Sequence, residues 1–543
     1  METTNRLALN VQGQHWSSAV ADAVIERFPN VPVYTCAAGI SPSGIVHFGN
    51  FRDVMTAVLV ADALRERGKP VRMVFSWDEF DRFRKVPAGV PANFAEHVGK
   101  PLAQIPDPEG TMASYAARFE EAFERAMQQL GVQLEYRYQA KEYQSGRYDD
   151  QMMQCLKART AIAEVMLSFM SDKGKAEKQI DPVKYTAEYY PINLYSRFTG
   201  KDSTKILNYD GDSSVEYECL ETKKREVVNL REHRIAKLAW KVDWPMRWGV
   251  EGVVFEPGGH DHASPGSSYD VSSAVTNRIF NRPPPVFVGY QFIGLQGLDG
   301  KMSGSKGNAV SPGQLLEIYE GPLLKWLYAR KTPDQSFSLA FNTEIFRQYD
   351  EMDREVAEYR AGKLSKPSAR ALELCFDGSD RLKSPENPIP FRQAVAFGQI
   401  LQWDGEKVRE LSRRLNLGYS SESIDARLSH AKAWLVTYND DQLIQLLTAK
   451  NEAHHATMSD EAKGFVRKLR ESLESGMKEI EELEAMVYAI PKLPELDQKA
   501  NSVRQRAFFK DVYTLLIGND TGPRLSTFLW AVDRARIIEL LSF

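Results

Sequence analysis

From residue 17 the chain alternates between two hydrophobic periods. The segment "SSAVADAVIERF" carries an apolar stripe at helical spacing, and "VPVYTCAA" is a continuous apolar run of strand length. A Gly/Pro/Ser loop follows, and then Val54, Val58, Ala61 and Leu64 recur at intervals of three and four, which predicts a helix with Asn50 as its N-cap and Gly68 as its stop. The apolar run "VRMVFSW" predicts the next strand, ending on the carboxylates Asp78, Glu79 and Asp81. The same logic repeats once more. Met112, Tyr115, Phe119, Ala122, Phe123, Ala126 and Leu130 share one helical face, and "VQLEYRYQ" alternates as a strand after Gly131. Strand, loop, helix, strand in this order predicts a parallel α/β sheet.

Residues 172–232 change character, being polar, rich in Lys and Tyr, and broken by Gly200 and Gly211; they are expected to be an insertion outside the sheet, folded on its own packing. It divides the sheet domain into residues 1–171 and 233–334. In the second half, "VVFEPGGHDHASPGSSYD" and "PPPVFVGYQFIGLQGLDGKMSGSKGNAVSP" again pair a strand with a glycine-rich loop. From about residue 335 strand signals fade and helical patterns take over, predicting a connecting region over 335–384 and an all-α domain over 385–543. Pro385, Pro388 and Pro390 mark the hinge between them. In "DEAKGFVRKLRESLESGMKEIEELEAM", Phe465, Leu469, Leu473, Ile480 and Leu483 fall at near-heptad spacing among alternating charges, which reads as a solvated helix face.

Composition narrows the picture only a little. With 69 basic and 73 acidic side chains the net charge is −4, so bulk charge does not announce a nucleic-acid binder, although a local basic face would suffice. No apolar run approaches the roughly 18 residues of a membrane span, and the N-terminal stretch lacks the pattern of a signal peptide; a cytosolic protein is expected. Cys36, Cys155, Cys219 and Cys375 are widely spread without a C-x-x-C pair, which argues against a disulfide framework or a Cys-rich zinc site. Oligomeric state leaves no mark, and a monomer is compatible with everything above.

Two loops carry candidate chemistry. In "PSGIVHFGN" a glycine-rich turn joins a strand to a helix start, a context in which backbone N–H groups and the helix dipole favour a phosphate. His47 and Asn50 in the first helical turn could bond phosphate oxygens as charge develops there; the bland alternative is a tight turn with a capping Asn. The Walker phosphate loop is absent. The second loop, "GKMSGSKGN", sets Lys301 and Lys306 among glycines and serines, suited to clamping a leaving pyrophosphate or, alternatively, a basic surface turn.

"PSGIVHFGN" resembles the first signature of class I aminoacyl-tRNA synthetases, with Asn50 in place of the last His, and "KMSGS" resembles their second. "SWDEFDRFRKVP", "WPMRW", "FEPGGHDHASPGSSYD" and the segment "FFKDVYTLLIGNDTGPRLSTFLWAVDRARIIELL" together resemble the class I lysyl-tRNA synthetases, over nearly the whole chain. The resemblance implies a Rossmann-type class I catalytic domain with an insertion, followed by an all-α anticodon-binding domain. It implies activation of L-lysine by ATP, with Mg²⁺, and transfer of the lysyl group to the terminal ribose of tRNA(Lys). Two competing readings are a small-molecule adenylyltransferase sharing the first signature and a tRNA-binding paralogue that has lost activation.

Residue by residue, the resemblance gives His47 and Asn50 contacts to transition-state phosphate oxygens, with Pro42, Gly44 and Gly49 shaping the turn. Lys301, helped by Ser303 and Ser305, would neutralise pyrophosphate; Gly304 stands where many class I enzymes have Lys, and Lys306 is the candidate to supply that charge. Gly259 and Asp261 resemble the element that holds the adenosine ribose. For the lysine substrate, Asp78, His262 and Tyr290 are candidates, with a structural ion pair of Asp78 to Arg82 or Arg84 as the alternative. His260 and His262 as metal ligands lack a third partner in the sequence, and the insertion, without Cys pairs, is expected to hold no zinc. For the helical region the resemblance implies anticodon recognition, with Arg504, Arg506, Phe508, Phe509 and Arg524 as the candidate neighbourhood for unstacked bases; the alternative for the aromatic pair is a place in the helical core.

Overall fold

The computed structural model describes residues 5–9, 11–177, 179–297, 309–376, 380–383, 386–476 and 479–543. The central sheet contains β1 (Tyr34–Ile40), β2 (Val71–Trp77), β3 (Glu135–Tyr138), β9 (Val253–Gly259) and β10 (Val286–Tyr290), numbered in chain order. All are parallel, in the order β10-β9-β1-β2-β3. β1 and β2 pair in register over their whole length, from Tyr34 opposite Val71 to Ile40 opposite Trp77. Their near-continuous apolar runs are what a sheet covered on both faces requires. The chain leaves β1 toward β2 on one side, and its second half returns to β9 on the other. The sheet therefore reverses direction between β1 and β9, where open parallel sheets form a crevice at the carboxyl ends of their strands.

The helix Phe48–Glu66 packs against this reversal and is buried on almost every side, from Phe51 through Leu64. Phe75 anchors the opposite side of the sheet, fully buried, stacked on Phe123 at 5.2 Å between ring centroids and edge-on to Trp77 and Tyr136. Phe123 comes from the helix Tyr115–Gln129, whose buried face shares Tyr115, Phe123 and Ala126 with the spacing but takes Ala116, Glu120 and Met127 in place of the exposed Ala122, while Met112 lies ahead of the helix.

The insertion contributes to two small sheets, one of them closed by a strand just beyond residue 232. β4 (Ile192–Leu194) pairs antiparallel with β8 (Ala236–Leu238), and β5 (Thr204–Tyr209), β6 (Ser214–Cys219) and β7 (Arg225–Asn229) form a three-stranded meander. Its packing differs from the expectation of an independent core. Val215, Tyr217, Cys219 and Val228 join one hydrophobic cluster with Tyr143, Met152, Ile162, Met246 and Val271, which belong to helices flanking the central sheet. The alternation along β6 buries only one face, and a two-strand flank offers too little apolar area to close it, so the meander uses the domain's helices as its second layer.

β11 (Ile293–Gln296) pairs in parallel with β12 (Phe337–Ala340), a strand beyond the point where strand signals fade. By contacts the chain divides into a unit of Met1–Ala340 with Arg354–Ser384 and a unit of Phe341–Asp353 with Pro385–Phe543. In the second unit the helix Ser421–Tyr438 is central. Its buried Arg427 pairs with Asp353 at 2.6 Å and donates to Ile389 O at 2.7 Å, and Trp434 donates to Phe341 O at 2.8 Å. Val466, Leu469, Leu473, Ile480 and Leu483 are buried there, with Phe465 half-buried. Phe508, one of the candidate base-stacking aromatics, is also core, at 2% exposure. Arg504 is engaged with Glu461 and Pro491 O, and Arg524 with Glu484, while Arg506 and half of Phe509 remain open.

Replacing Phe75 by Ala removes a fully buried ring from three aromatic contacts and should cost about 3–5 kcal/mol. Thermal unfolding should show a lower midpoint for the first unit's transition, and an unchanged midpoint would mean that the sheet does not depend on this anchor.

Candidate active site

The loop after β1 ends on His47, which caps the helix Phe48–Glu66. Its Nδ1 accepts the Gly49 N–H at 3.0 Å, while Asn50 Oδ1 reaches back to the His47 N–H at 3.4 Å, a reciprocal capping arrangement. The N-cap is thus His47 and not Asn50. Asn50 sits one turn in, where its amide can close the box and still face the crevice. A Cβ on Gly49 would lie 2.8 Å from the His47 ring, so only glycine lets the imidazole fold over the helix start. With Nδ1 accepting, neutral His47 carries its proton on Nε2. Burial pushes its pKa down, which keeps the ring neutral at physiological pH. Tyr115 donates to Ser43 O at 3.0 Å and Phe48 N donates to Val310 O at 3.0 Å, fixing the loop from both ends.

The crevice at the sheet reversal is occupied by two adjoining cavities. The larger, about 880 Å³, is lined by the loop from Gly39 through Gly44 to His47 and Asn50, and on its far side by Asp81, Arg82, Arg84, Asn193, Tyr195 and Lys237. The smaller, about 160 Å³, lies deeper, among Asp53, Trp244, Arg247, Trp248, Glu256 and Tyr290. Gly39, Ile40, Asn50, Asp78, Trp240 and His262 line both and form the junction. Gly258 is forced on the deeper wall, because a Cβ there would come within 2.7 Å of the Phe287 ring.

Asp78 is 7% exposed, and its partner is neither Arg82 nor Arg84. Arg82 turns to Asp202 at 3.0 Å, and Asp78 instead meets Arg247 at 2.9 Å across the sheet end. Arg247 also holds Asp243 at 2.6 Å, Asp243 accepts the Tyr143 hydroxyl, and the buried Lys237 pairs with Asp81. Sequence proximity favours Arg82 and Arg84, yet burial selects a guanidinium that arrives from the helix Trp240–Glu251. Arg247 Nε and His262 Nδ1 are buried atoms without a hydrogen bond among the described residues, and both belong to residues of the deeper cavity. Such orphans mark a place where a polar ligand completes the bonding.

Tyr290 is hydrogen-bonded to Asp53, which also accepts from the Gly39 backbone. Burial and then the neighbouring Glu256 push the Asp53 pKa well up; burial raises Glu256 to about 7, with Trp248 Nε1 donating to it at 2.6 Å. Asp53 and Glu256 escape the sequence reading. The available signal for Asp53 is its place three residues after Asn50 on the same helical face, and for the aromatic wall the i, i+4, i+8 spacing of Trp240, Trp244 and Trp248, with the first two rings stacked at 5.1 Å.

Among the other sequence candidates, Gly44 lines the larger cavity and Pro42 is buried behind it. Gly259 lines the smaller one, whereas Asp261 is exposed on the short helix His260–Ala263 and borders neither. His260 is exposed as well, and the described residues contain no cluster of three or more His, Cys, Asp or Glu side chains placed to hold a metal. Lys301, Ser303, Ser305 and Lys306 lie outside the described residues.

Residues 14–375 match the sequence model of the family described as tRNA synthetases class I (K). The chain is 36% identical to a lysine–tRNA ligase of Streptomyces coelicolor, over 98% of this chain and 99% of that protein. It is 31% identical to one of Pyrococcus horikoshii over 97% and 99%, and 32% identical to one of Treponema pallidum over 97% and 98%. A cavity pair beneath a histidine-capped helix at the sheet reversal, and these matches across nearly its whole length, establish that the chain belongs to the class I lysyl-tRNA synthetase family.

Proposed function

We propose that the protein is a lysine–tRNA ligase of translation, acting in the cytoplasm: it activates L-lysine with ATP to lysyl-adenylate and pyrophosphate, then passes the lysyl group to the terminal ribose of tRNA(Lys). No helix among the described residues is long and apolar enough to cross a membrane. The observation that carries lysine as the substrate is the deeper cavity, where Asp53 and Glu256 have no ion pair among the described residues and stand next to a tryptophan wall. An amino acid with an apolar stem and a terminal ammonium satisfies both parts.

In this reading the side chain of lysine enters the small cavity and its ammonium reaches Asp53 and Tyr290. Its α-ammonium meets Asp78 at the junction, near His262. The α-carboxylate then faces the larger cavity, where ATP, arriving with Mg²⁺ as its phosphate-bound ion, lies against the helix start. A carboxylate oxygen bonds to the α-phosphorus as the bond to pyrophosphate breaks. His47 Nε2–H and the Asn50 amide donate to phosphate oxygens whose charge grows in that step, and the neutral imidazole acts as a fixed dipole with no proton to transfer. Lys301 and Lys306, with Ser303 and Ser305, are assigned to the departing pyrophosphate. Pro42, Gly44 and Gly49 shape the loop, and Gly259 and Asp261 are assigned to the ribose. The near full-length match to lysine–tRNA ligases disfavours a small-molecule adenylyltransferase.

The deciding measurement is lysine-dependent ATP–pyrophosphate exchange with and without tRNA(Lys). Exchange that requires tRNA is expected, and absence of exchange under both conditions would favour the paralogue that has lost activation. His47→Ala should slow adenylate formation by about a hundredfold or more, the scale of a lost transition-state donor. Gly49→Ala should reproduce most of that loss by displacing the ring, and a variant with wild-type rate would remove the capped histidine from the mechanism. Elemental analysis should find well under one equivalent of zinc per chain; one bound equivalent would overturn the zinc-free insertion.

A further inference from the structure

Most buried carboxylates around the crevice have a cation of their own. Glu251 is met by Arg147 at 2.7 Å, Arg137 at 3.1 Å and Arg72 at 3.3 Å; Asp78 and Asp243 share Arg247, and Asp81 has Lys237. Among the described residues that line the deeper cavity, Asp53 and Glu256 have no ion pair. Their bonding partners are neutral: the Tyr290 hydroxyl and the Gly39 N–H for Asp53, and the Trp248 indole for Glu256. Even the guanidinium next in sequence to Asp53 is committed elsewhere. Arg52 donates to the carbonyls of Gln291, Thr332, Pro333 and Gln335, at 2.7 to 3.2 Å.

These two carboxylates line a buried cavity of about 160 Å³ whose guanidinium, Arg247, is already paired with Asp78 and Asp243, so near neutral pH each strongly opposes the other's ionisation. We propose that Asp53 and Glu256 hold one shared proton while the cavity is empty and release it to solvent when the lysine ammonium enters, so that Glu256 is a second specificity-determining carboxylate. The exchange balances, one proton leaving for one cationic side chain arriving, and the cavity's net charge is unchanged. It rests on the lysine reading above.

The other groups facing the pair hold their charge near neutral pH. His262 is pushed down by burial and stays neutral, Tyr290 is pushed well up by burial, and Arg247 is held charged by Asp243 and Asp78. Burial raises Asp78 too, but Arg247 opposes that shift. Glu251 keeps its three arginines. The pair is therefore the group whose proton count a bound ammonium alters. The sign follows: both carboxyls are pushed up, Asp53 well above the ordinary carboxylate range and Glu256 to about 7, so lysine binding is strongest when the pair has already lost its proton and weakens as pH falls through the range where the pair titrates.

The test is calorimetry of L-lysine binding to the full chain with tRNA(Lys), without ATP, in buffers of different ionisation heat between pH 6.5 and 8.5. Release approaching one proton per lysine is expected at pH 6.5, falling toward zero at the upper end. The KM for lysine in pyrophosphate exchange should rise by up to about tenfold per pH unit on the acid side, with the KM for ATP level. In Glu256→Gln the amide can still accept from Trp248, and both the release and the KM profile should move to lower pH. Heats independent of buffer while lysine binds would overturn the proton exchange and leave the lysine reading standing. An unaltered pH profile in Glu256→Gln would remove Glu256 from it, and no lysine heat at all would sink both.

Discussion

The helix Phe48–Glu66 is the constraint on which the crevice depends. It is enclosed along most of its length, so its axis cannot tilt or slide without opening the core on several sides at once. That fixes the position of its first turn against the ends of β1 and β9. A helix N-terminus presents N–H groups without intrahelical partners, and here a histidine side chain satisfies one of them while remaining on the cavity wall. Structural capping and, in the proposed reading, phosphate chemistry fall to one ring. From the same helix, Arg52 secures the chain at Gln291 and at Thr332–Gln335, and Asp53 points to the deeper cavity, so three consecutive tasks follow from one rigid axis.

Electrostatics gives the crevice its graded character. Near the rim, acids and bases alternate and pair, as Arg82 with Asp202 and Lys237 with Asp81. At the junction, one guanidinium serves Asp78 and Asp243. At the floor, among the described residues, Asp53 and Glu256 are left with hydroxyl, indole and amide donors. In a low-dielectric site such a gradient discriminates more sharply than surface charge would, because a ligand that fails to bring a cation leaves a desolvated acid unmatched.

Much of the sheet was legible from periodicity. "VRMVFSW" matches β2 residue for residue, and the helix over Val54 to Leu64 has the core face that its spacing indicates. His47, Asn50, Asp78, His262 and Tyr290 all reach the two cavities, because loops at the carboxyl ends of parallel strands converge there. What stayed hidden depends on long-range partners. The Asp78–Arg247 pair spans distant parts of the sequence, and no local pattern distinguishes it from Asp78 with Arg82. Asp53 carries no local mark of its place, since nothing in the sequence says that the helix is covered all round. Asn50 is the cap that local sequence favours, since Asn is among the preferred N-cap residues, and Phe508 is open to either role because a core aromatic and a binding aromatic have the same local sequence.

The shared core beneath the insertion has a consequence for how this domain can change over evolutionary time. Tyr217 and Val215 pack with Met246 and Val271, so the meander is a wall of the catalytic domain and not an appendage hung from it. Its loop tips, such as the turn at Gly211 with the Asp210 carboxylate accepting from Asp212 and Ser214 N–H, are free to lengthen or shorten. The strands themselves are not exchangeable as a cassette: grafting a foreign insertion would have to reproduce the buried face of β6 and β7 side chain by side chain, which ties drift in this segment to drift in helices some thirty to seventy residues away.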